Sequence, residues 1–496
     1  MRAREARPRG RGLHRAPRGE RTPKWLRTER LYGRLPVAAQ NAVVAWHGAR
    51  TRRDRFGPGY EPLSRLLEQS ERWTRDELRA YQESRLSVVV RHAYDTVPYY
   101  RDLFDRLGLR PADIRSSGDL ARLPVLTRED VRANAPRLVS RAVPAKSLHS
   151  ANTSGTSGTP VTVRWDRAVR LMNNACYMRL RRWAGAPLGT RYGTITGRPI
   201  VPLAQDRPPF WRHNPRWNQI MFSSLHLSER NLEHYTRAIR GHRIKALEAY
   251  PTSAYIIARH LEARGEQLPL KCLITTGEPL LPDERALIEE RFRVRIFDAY
   301  GEAERVVFSA ECEVHDGHHL YEEYGITEVV DERGVPLPPG ERGRIAGTSL
   351  HNLGMPLIRY TFGDVGALAD RSCPCGRALM LLDGLTSRDE DIIVAPDGRL
   401  IPPVMVSWAP RLVEGVTNWQ LVQEKRDEIV ARFVVARPLT DADRRQLTTY
   451  FGRRFGPLMR VAIEEVSEIP LSGRGKHRRV VSKVPLPWGE QARGRG

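Results

Sequence analysis

Lysine, cysteine and long apolar runs are all scarce in this chain, and each scarcity excludes something. Only Lys24, Lys146, Lys245, Lys271, Lys425, Lys476 and Lys483 contribute to a Lys+Arg total of 81, so the basic charge is carried by arginine. Any single lysine in a motif therefore stands out. Five cysteines, unevenly placed, exclude a secreted disulfide framework and fit a reducing compartment; the expected location is the cytoplasm. Cys176 and Cys272 sit in apolar surroundings and read as core, whereas Cys312, Cys373 and Cys375 keep polar company. No apolar run approaches the roughly 20 residues that span a bilayer. The charged start, Met1 to Gly10, has no apolar core behind it, so neither a transmembrane segment nor a secretory leader is expected.

What the chain has in excess is positive charge. Lys+Arg 81 less Asp+Glu 58 gives +23, which raises a nucleic-acid hypothesis. The distribution argues against it: arginine is scattered along the chain, and the densest block lies in a Pro/Gly-rich first thirty residues that read as a disordered tail. No aromatic stacking platform accompanies the charge, so no specific nucleic-acid partner is expected.

At 496 residues the chain can bury a substantial core and is long enough for two or three domains. Residues from about Trp25 to Ser140 read as mostly helical, with N-caps at Thr74 and Thr127. Helical segments at 166–184, 228–240, 252–264 and 282–291 then alternate with strand candidates at 192–196, 246–250, 272–276 and 294–298. That alternation predicts a parallel sheet covered by helices. From Leu320 to Ala369, strands joined by Pro/Gly turns predict a small barrel-like β appendage. After a short polar link, a unit of about 100 residues with a strand at 428–435 and a helix at 440–455 reads as a small α+β domain. The expected fold class is α/β: a basic tail at 1–30, a large N-terminal domain at 31–386, a hinge at 387–391, a small mobile C-terminal α+β domain at 392–486 and a tail at 487–496.

Chemistry concentrates in a few segments. Thr153, Ser154, Gly155, Thr156, Ser157, Gly158 and Thr159 place hydroxyls and two glycines ahead of the strand-like run 161–165. Glycines let the backbone approach an anion, and successive N–H groups with hydroxyls can cradle phosphate. The loop lacks the G-K-[ST] ending of the common nucleotide triphosphatases. Downstream follow Gly277-Glu278-Pro279, Tyr300-Gly301-Glu302-Ala303-Glu304, Ile358-Arg359-Tyr360-Thr361-Phe362-Gly363-Asp364 and Gly473-Arg474-Gly475-Lys476.

The order and spacing of these five motifs resemble the adenylate-forming enzymes, specifically the phenylacetate-CoA ligase family and its capsular polysaccharide biosynthesis branch, over roughly residues 75 to 485. The resemblance implies ATP-dependent activation of a small-molecule carboxylic acid as an acyl or aryl adenylate, pyrophosphate release, and transfer to coenzyme A. It assigns the hydroxyl loop to the triphosphate, Gly277, Glu278 and Pro279 to one side of the adenine slot, and Tyr300, with Gly301, to the other. Glu304 becomes the Mg²⁺ carboxylate, Asp364 and Arg388 the ribose contacts, and Lys476 the catalytic cation. Arg359 matches the family's Ile-Arg-Tyr segment, and Tyr250, Pro251, Asp298 and Ala299 fall at the acyl pocket. One departure is Ala303, where relatives carry a hydroxyl; it removes a phosphate hydrogen bond and keeps open a nucleotide-binding protein without turnover. A further alternative is an acyltransferase of cell-surface polysaccharide biosynthesis whose acceptor is not coenzyme A.

Cys312, His319, Cys373 and Cys375 form a second constellation. Three thiolates and an imidazole complete a closed tetrahedral Zn²⁺ site of structural type, with His315 as the alternative fourth ligand. Some relatives are expected to hold a metal here.

Overall fold

The computed structural model describes residues 31–152, 161–198, 200–386, 391–401, 403–406, 409–413, 415–469 and 478–485. Helices fill the first hundred described residues, including Val37–Arg55, Tyr60–Gln69, Arg75–Thr96 and Pro98–Leu107. Both expected N-caps close capping boxes: Thr74 with Glu77 and Thr127 with Asp130. A hairpin of β1 (His149–Asn152) and β2 (Thr162–Trp165) follows, with His149 opposite Trp165.

The centre is a twelve-stranded sheet. Its first part comprises β3 (Tyr192–Thr196), β4 (Trp211–Asn214), β5 (Gln219–Ser223), β6 (Ala246–Ala249), β7 (Cys272–Thr276) and β8 (Ile296–Gly301). Its second part comprises β9 (Phe308–Glu311), β10 (His318–Leu320), β11 (Gly325–Val330), β12 (Arg342–Ser349), β13 (Tyr360–Leu368) and β14 (Leu381–Thr386). The order across the sheet is β11-β12-β13-β14-β10-β9-β8-β7-β6-β3-β5-β4. The run β5-β3-β6-β7-β8 is parallel. Its crossovers carry the helices Glu229–Gly241, Pro251–Ala263 and Pro282–Phe292, and its apolar strands are buried on both faces as parallel sheets require.

The strands expected to form a separate barrel-like appendage instead continue this sheet as its antiparallel half, and no ladder closes them into a barrel among the described residues. The physical reason is β10. It pairs with β9 on one side and β14 on the other, so the unpaired edge left by β9 is covered from within the chain.

Beyond the short pair β15 (Ile393–Val394) and β16 (Leu400–Ile401) lies a four-stranded sheet of β17 (Val416–Lys425), β18 (Glu428–Val435), β19 (Arg460–Glu465) and β20 (Val480–Ser482), ordered β19-β18-β17-β20. The helix Asp441–Phe455 packs on it through Leu447, Tyr450, Phe451 and Phe455. The helix starts at a capping box between Thr440 and Asp443. No described helix is long and apolar enough to cross a membrane.

Candidate active site

Parallel strands present their carboxyl ends at one edge, and ligands of open α/β sheets bind beyond that edge. Here β7 ends in the turn at Gly277-Glu278-Pro279, β8 in Tyr300 and Gly301, and β6 in Tyr250-Pro251. Gly277 has φ 83, and a Cβ there would sit 3.0 Å from Tyr250 Cε1, so both conformation and packing call for glycine. Glu278 accepts the Thr252 N–H at 3.1 Å, which ties this turn to the first turn of the helix Pro251–Ala263.

Tyr300 and Asp364 meet across the sheet. The Tyr300 hydroxyl donates to Asp364 Oδ2 at 2.9 Å, joining the end of β8 to β13. Burial first, and then the Asp364 carboxylate, push the phenol well above its ordinary range. Glu304 lies just beyond, 2% exposed. Its Oε1 accepts the Tyr360 hydroxyl at 2.9 Å and lies 3.5 Å from Arg128 Nη2. Burial pushes its carboxyl up, with Arg128 opposing. Glu302 Oε1 accepts the N–H groups of Val306 at 2.5 Å and Val307 at 2.7 Å, while its buried Oε2 has no partner among the described residues. Burial and the neighbouring Glu304 push the Glu302 carboxyl up to about 8. An orphaned carboxylate oxygen beside a second acid is a donor set that suits a hard divalent cation such as Mg²⁺.

The thiol constellation closes in space although its members are far apart in sequence. One ligand atom from each of Cys312, His319, Cys373 and Cys375 lies within 4.8 Å of the others. Cys312 Sγ is 3.7 Å from Cys373 Sγ, and Cys375 Sγ is 3.5 Å from His319 Nε2. A tetrahedral ion with Zn–S bonds of about 2.3 Å separates two thiolates by roughly 3.8 Å, so the donor set fits zinc. The fourth donor is His319: His315 turns its ring to Phe297, with centroids 4.6 Å apart, and its Nδ1 to Glu311 at 3.5 Å.

A CapK C-terminal domain family model matches residues 393–483, the segment from β15 through β20. Phenylacetate-coenzyme A ligase of Thermus thermophilus is 27% identical over 443 residues, covering 82% of this chain and 97% of that protein. Protein CapK of Staphylococcus aureus is 24% identical over 470 residues, 92% of this chain and 99% of its own length. In fold the chain is similar to a 2-hydroxyisobutyryl-CoA ligase, with a TM-score of 0.53 at 22% identity over 84% of this chain and 91% of the other. Over most of its length the chain is thus similar to phenylacetate-coenzyme A ligase and to CapK.

The structure brings together Gly277, Glu278, Tyr300, Gly301, Glu304 and Asp364 at one sheet edge, with Pro279 in the same turn. Thr153 to Thr159, Arg388 and Lys476 lie outside the described residues. Arg359 turns away from any ligand role: 1% exposed, it makes a paired contact with Glu328 at 2.9–3.2 Å and donates to the Leu123 and Gly334 carbonyls. Asp298 is engaged by the Thr275 hydroxyl at 2.5 Å and faces His318 Nε2 at 3.5 Å. Arg128, Tyr360 and Glu302 were not legible as site residues. Their relation to Glu304 spans separate elements, and only the Glu302/Glu304 spacing gave a local signal.

Proposed function

We propose that the chain activates a carboxylic acid with ATP to give an acyl adenylate, releases pyrophosphate, and transfers the acyl group to coenzyme A. The observation that carries this reading is the Tyr300–Asp364 contact at the carboxyl edge of the parallel sheet, with Glu304 buried beside it. Tyr300 offers an aromatic face to adenine and Asp364 a two-oxygen acceptor for the ribose hydroxyls. Glu304, with Glu302, would hold Mg²⁺, which supplies charge neutralisation of the phosphates. Arg128 and Tyr360 position Glu304 and compensate its charge while the site is empty of nucleotide. Thr153 to Thr159 would close on the triphosphate, and Arg388 would reach the ribose.

Adenylation joins a carboxylate oxygen to the α-phosphorus and breaks the bond to pyrophosphate. Lys476, a point cation on a long stem, would neutralise charge growing on both groups. Thioester formation then needs only the coenzyme A thiolate, which attacks the acyl carbon and breaks its bond to the phosphate oxygen with AMP as the leaving group, because the adenylate is already activated. The small C-terminal domain would serve both steps in two orientations. Asp391 is held to β20 by the Ser482 N–H at 2.8 Å and by Arg478 at 2.5 Å, so this reading puts the pivot ahead of it, at 387–390. Cys312, His319, Cys373 and Cys375 would hold Zn²⁺ as a structural brace between β10 and the segment before β14.

A second reading has an acyl acceptor other than coenzyme A. The near full-length similarity to CapK and the match of residues 393–483 to its C-terminal domain favour it. Hydroxylamine trapping of the activated acid, screened over aromatic, fatty and sugar acids, tests the shared first step. A trapped hydroxamate that needs both ATP and acid is expected; ATP binding without any trapped product across the panel would sink it.

A further inference from the structure

Several buried or half-buried arginines of this protein are paired with carboxylates. Arg179 meets Glu323 at 2.8 Å, Arg181 meets Glu248 at 2.7 Å, Arg359 meets Glu328 at 2.9 Å and Arg285 meets Glu311 at 2.7 Å. Arg212, also buried, is held instead by Gln40, Gln205 and the Pro209 and Trp211 carbonyls, and a further group lacks even such partners among the described residues. Arg55, at the end of the helix Val37–Arg55, is half-buried with its Cζ 5.5 Å from the Trp217 ring, and Arg305 is half-buried with its Cζ 4.2 Å from the Trp165 ring. Neither side chain makes an ion pair or hydrogen bond with any described residue.

These arginines share one region. Arg170, on the helix Arg167–Trp183, contacts His149 Nε2 at 2.7 Å. His149 lies opposite Trp165, with ring centroids 5.5 Å apart, and Trp165 carries Arg305. One turn further along the same helix, Asn174 donates to the Arg55 carbonyl at 3.1 Å. The Arg55 guanidinium is held below its ordinary range, first by burial and then by Arg198, with Arg305 and Arg170 adding to the effect. Carboxylates nearby do not balance the charge. Asp54 reaches Arg170 at 3.3 Å, Glu248 faces Arg55 and Arg198 but is paired with Arg181 at 2.7 Å, and Glu302 faces Arg305 while its Oε1 accepts the Val306 and Val307 N–H groups, so three carboxylates stand against five guanidinium groups.

The region borders the candidate nucleotide edge. Arg305 follows Glu304 directly, and Trp165 Nε1 donates to the Ala303 carbonyl at 3.4 Å. Arg198 follows Gly197, where a Cβ would lie 3.3 Å from the Tyr250 hydroxyl, and Tyr250 in turn underlies Gly277. Concentrating like charges in a half-buried space is unfavourable without a counter-charge, and the guanidinium fork is suited to carboxylate and phosphate.

We propose that Arg55, Arg170 and Arg305, with Arg198 at the rim, select a carboxylic acid that bears a second anionic group, the second charge resting among the arginines while the reacting carboxylate lies toward Tyr250 and Gly277. This inference rests on the adenylation reading for the position of the reacting carboxylate, but its test does not require turnover. Calorimetric titration of the nucleotide-free full chain compares glutarate, 3-phosphonopropionate and pentanoate. At least tenfold tighter binding of one of the two dianions than of pentanoate is expected, and which one binds better names the second group. Arg55→Gln and Arg170→Gln, each alone, should remove that preference, while Arg55→Lys, which keeps the charge, should retain part of it. Thermal melting identifies a variant that fails to fold; the three-ligand comparison on the unaltered chain then stands as the test. Equal response to all three ligands, including none from any of them, overturns the proposal, as does saturable binding of inorganic pyrophosphate alone, which would make the arginines a phosphate subsite for ATP. Dianion preference without pyrophosphate exchange would support the arginine pocket and count against adenylation.

Discussion

Asp364 shows how much a single side chain is asked to do. It accepts from Tyr300 at 2.9 Å, and a carboxylate is a two-oxygen acceptor of the kind a ribose diol calls for. Asp364→Ala should weaken ATP binding about tenfold or more, by loss of charge-assisted hydrogen bonds made to the ground-state nucleotide. Unchanged nucleotide affinity by calorimetry would remove the ribose role. Arg359 is the contrasting case, an arginine in a motif that proves structural. Glu328→Ala strands a buried guanidinium and should cost about 3–5 kcal/mol in chemical denaturation, the range for breaking a buried pair. Adding Arg359→Met should recover part of the loss, since two apolar groups leave no buried charge; a double variant as unstable as the sum of the singles would contradict that account.

Elements were legible where their signals were local. Thr74, Thr127 and Thr440 each begin a helix because the hydroxyl and an acid three residues on satisfy free N–H groups, a pattern confined to four positions. Thr440→Ala should therefore destabilise the C-terminal domain by about 1 kcal/mol, read as a shift in its denaturation midpoint; no shift would mean that the cap is dispensable. The strands at 192–196 and 272–276 stood where expected, whereas β8 begins at Ile296 rather than 294 because Arg293, at φ 52, ends the preceding helix in a left-handed turn. β5 was not foreseen: Gln219 and Ser223 bound only three apolar residues, too short a run to separate from a loop. The antiparallel half of the sheet was misread as an appendage, since which strand covers β9 is a long-range matter that no local pattern encodes. The cysteines and His319 were legible despite their separation because few residue types bind soft metals. If they hold zinc, Cys375→Ser should lower both zinc content by elemental analysis and melting temperature together. A metal-free, fully stable purified protein would reject the site.

At the scale of the whole molecule, the account joins one rigid sheet edge to two parts that deliver charge. In the proposed reaction the edge of β6, β7 and β8 would set the nucleotide and acid side by side, and β13 brings Asp364 to that edge. The loop 153–159 and Lys476, both outside the described residues, are assigned through the superfamily pattern alone. They stand out in the sequence because hydroxyl-rich loops and isolated lysines are chemically distinctive, and their roles remain proposals. The most direct measurement of the central claim is acid-dependent exchange of labelled pyrophosphate into ATP, compared between the unaltered chain and Lys476→Ala. The account predicts exchange in the former, driven best by a dianionic acid, and its loss in the latter with ATP affinity kept within several-fold, because the lysine acts on charge that develops in the transition state. Equal exchange in both proteins, or none in the unaltered chain with any acid while ATP still binds, would contradict it.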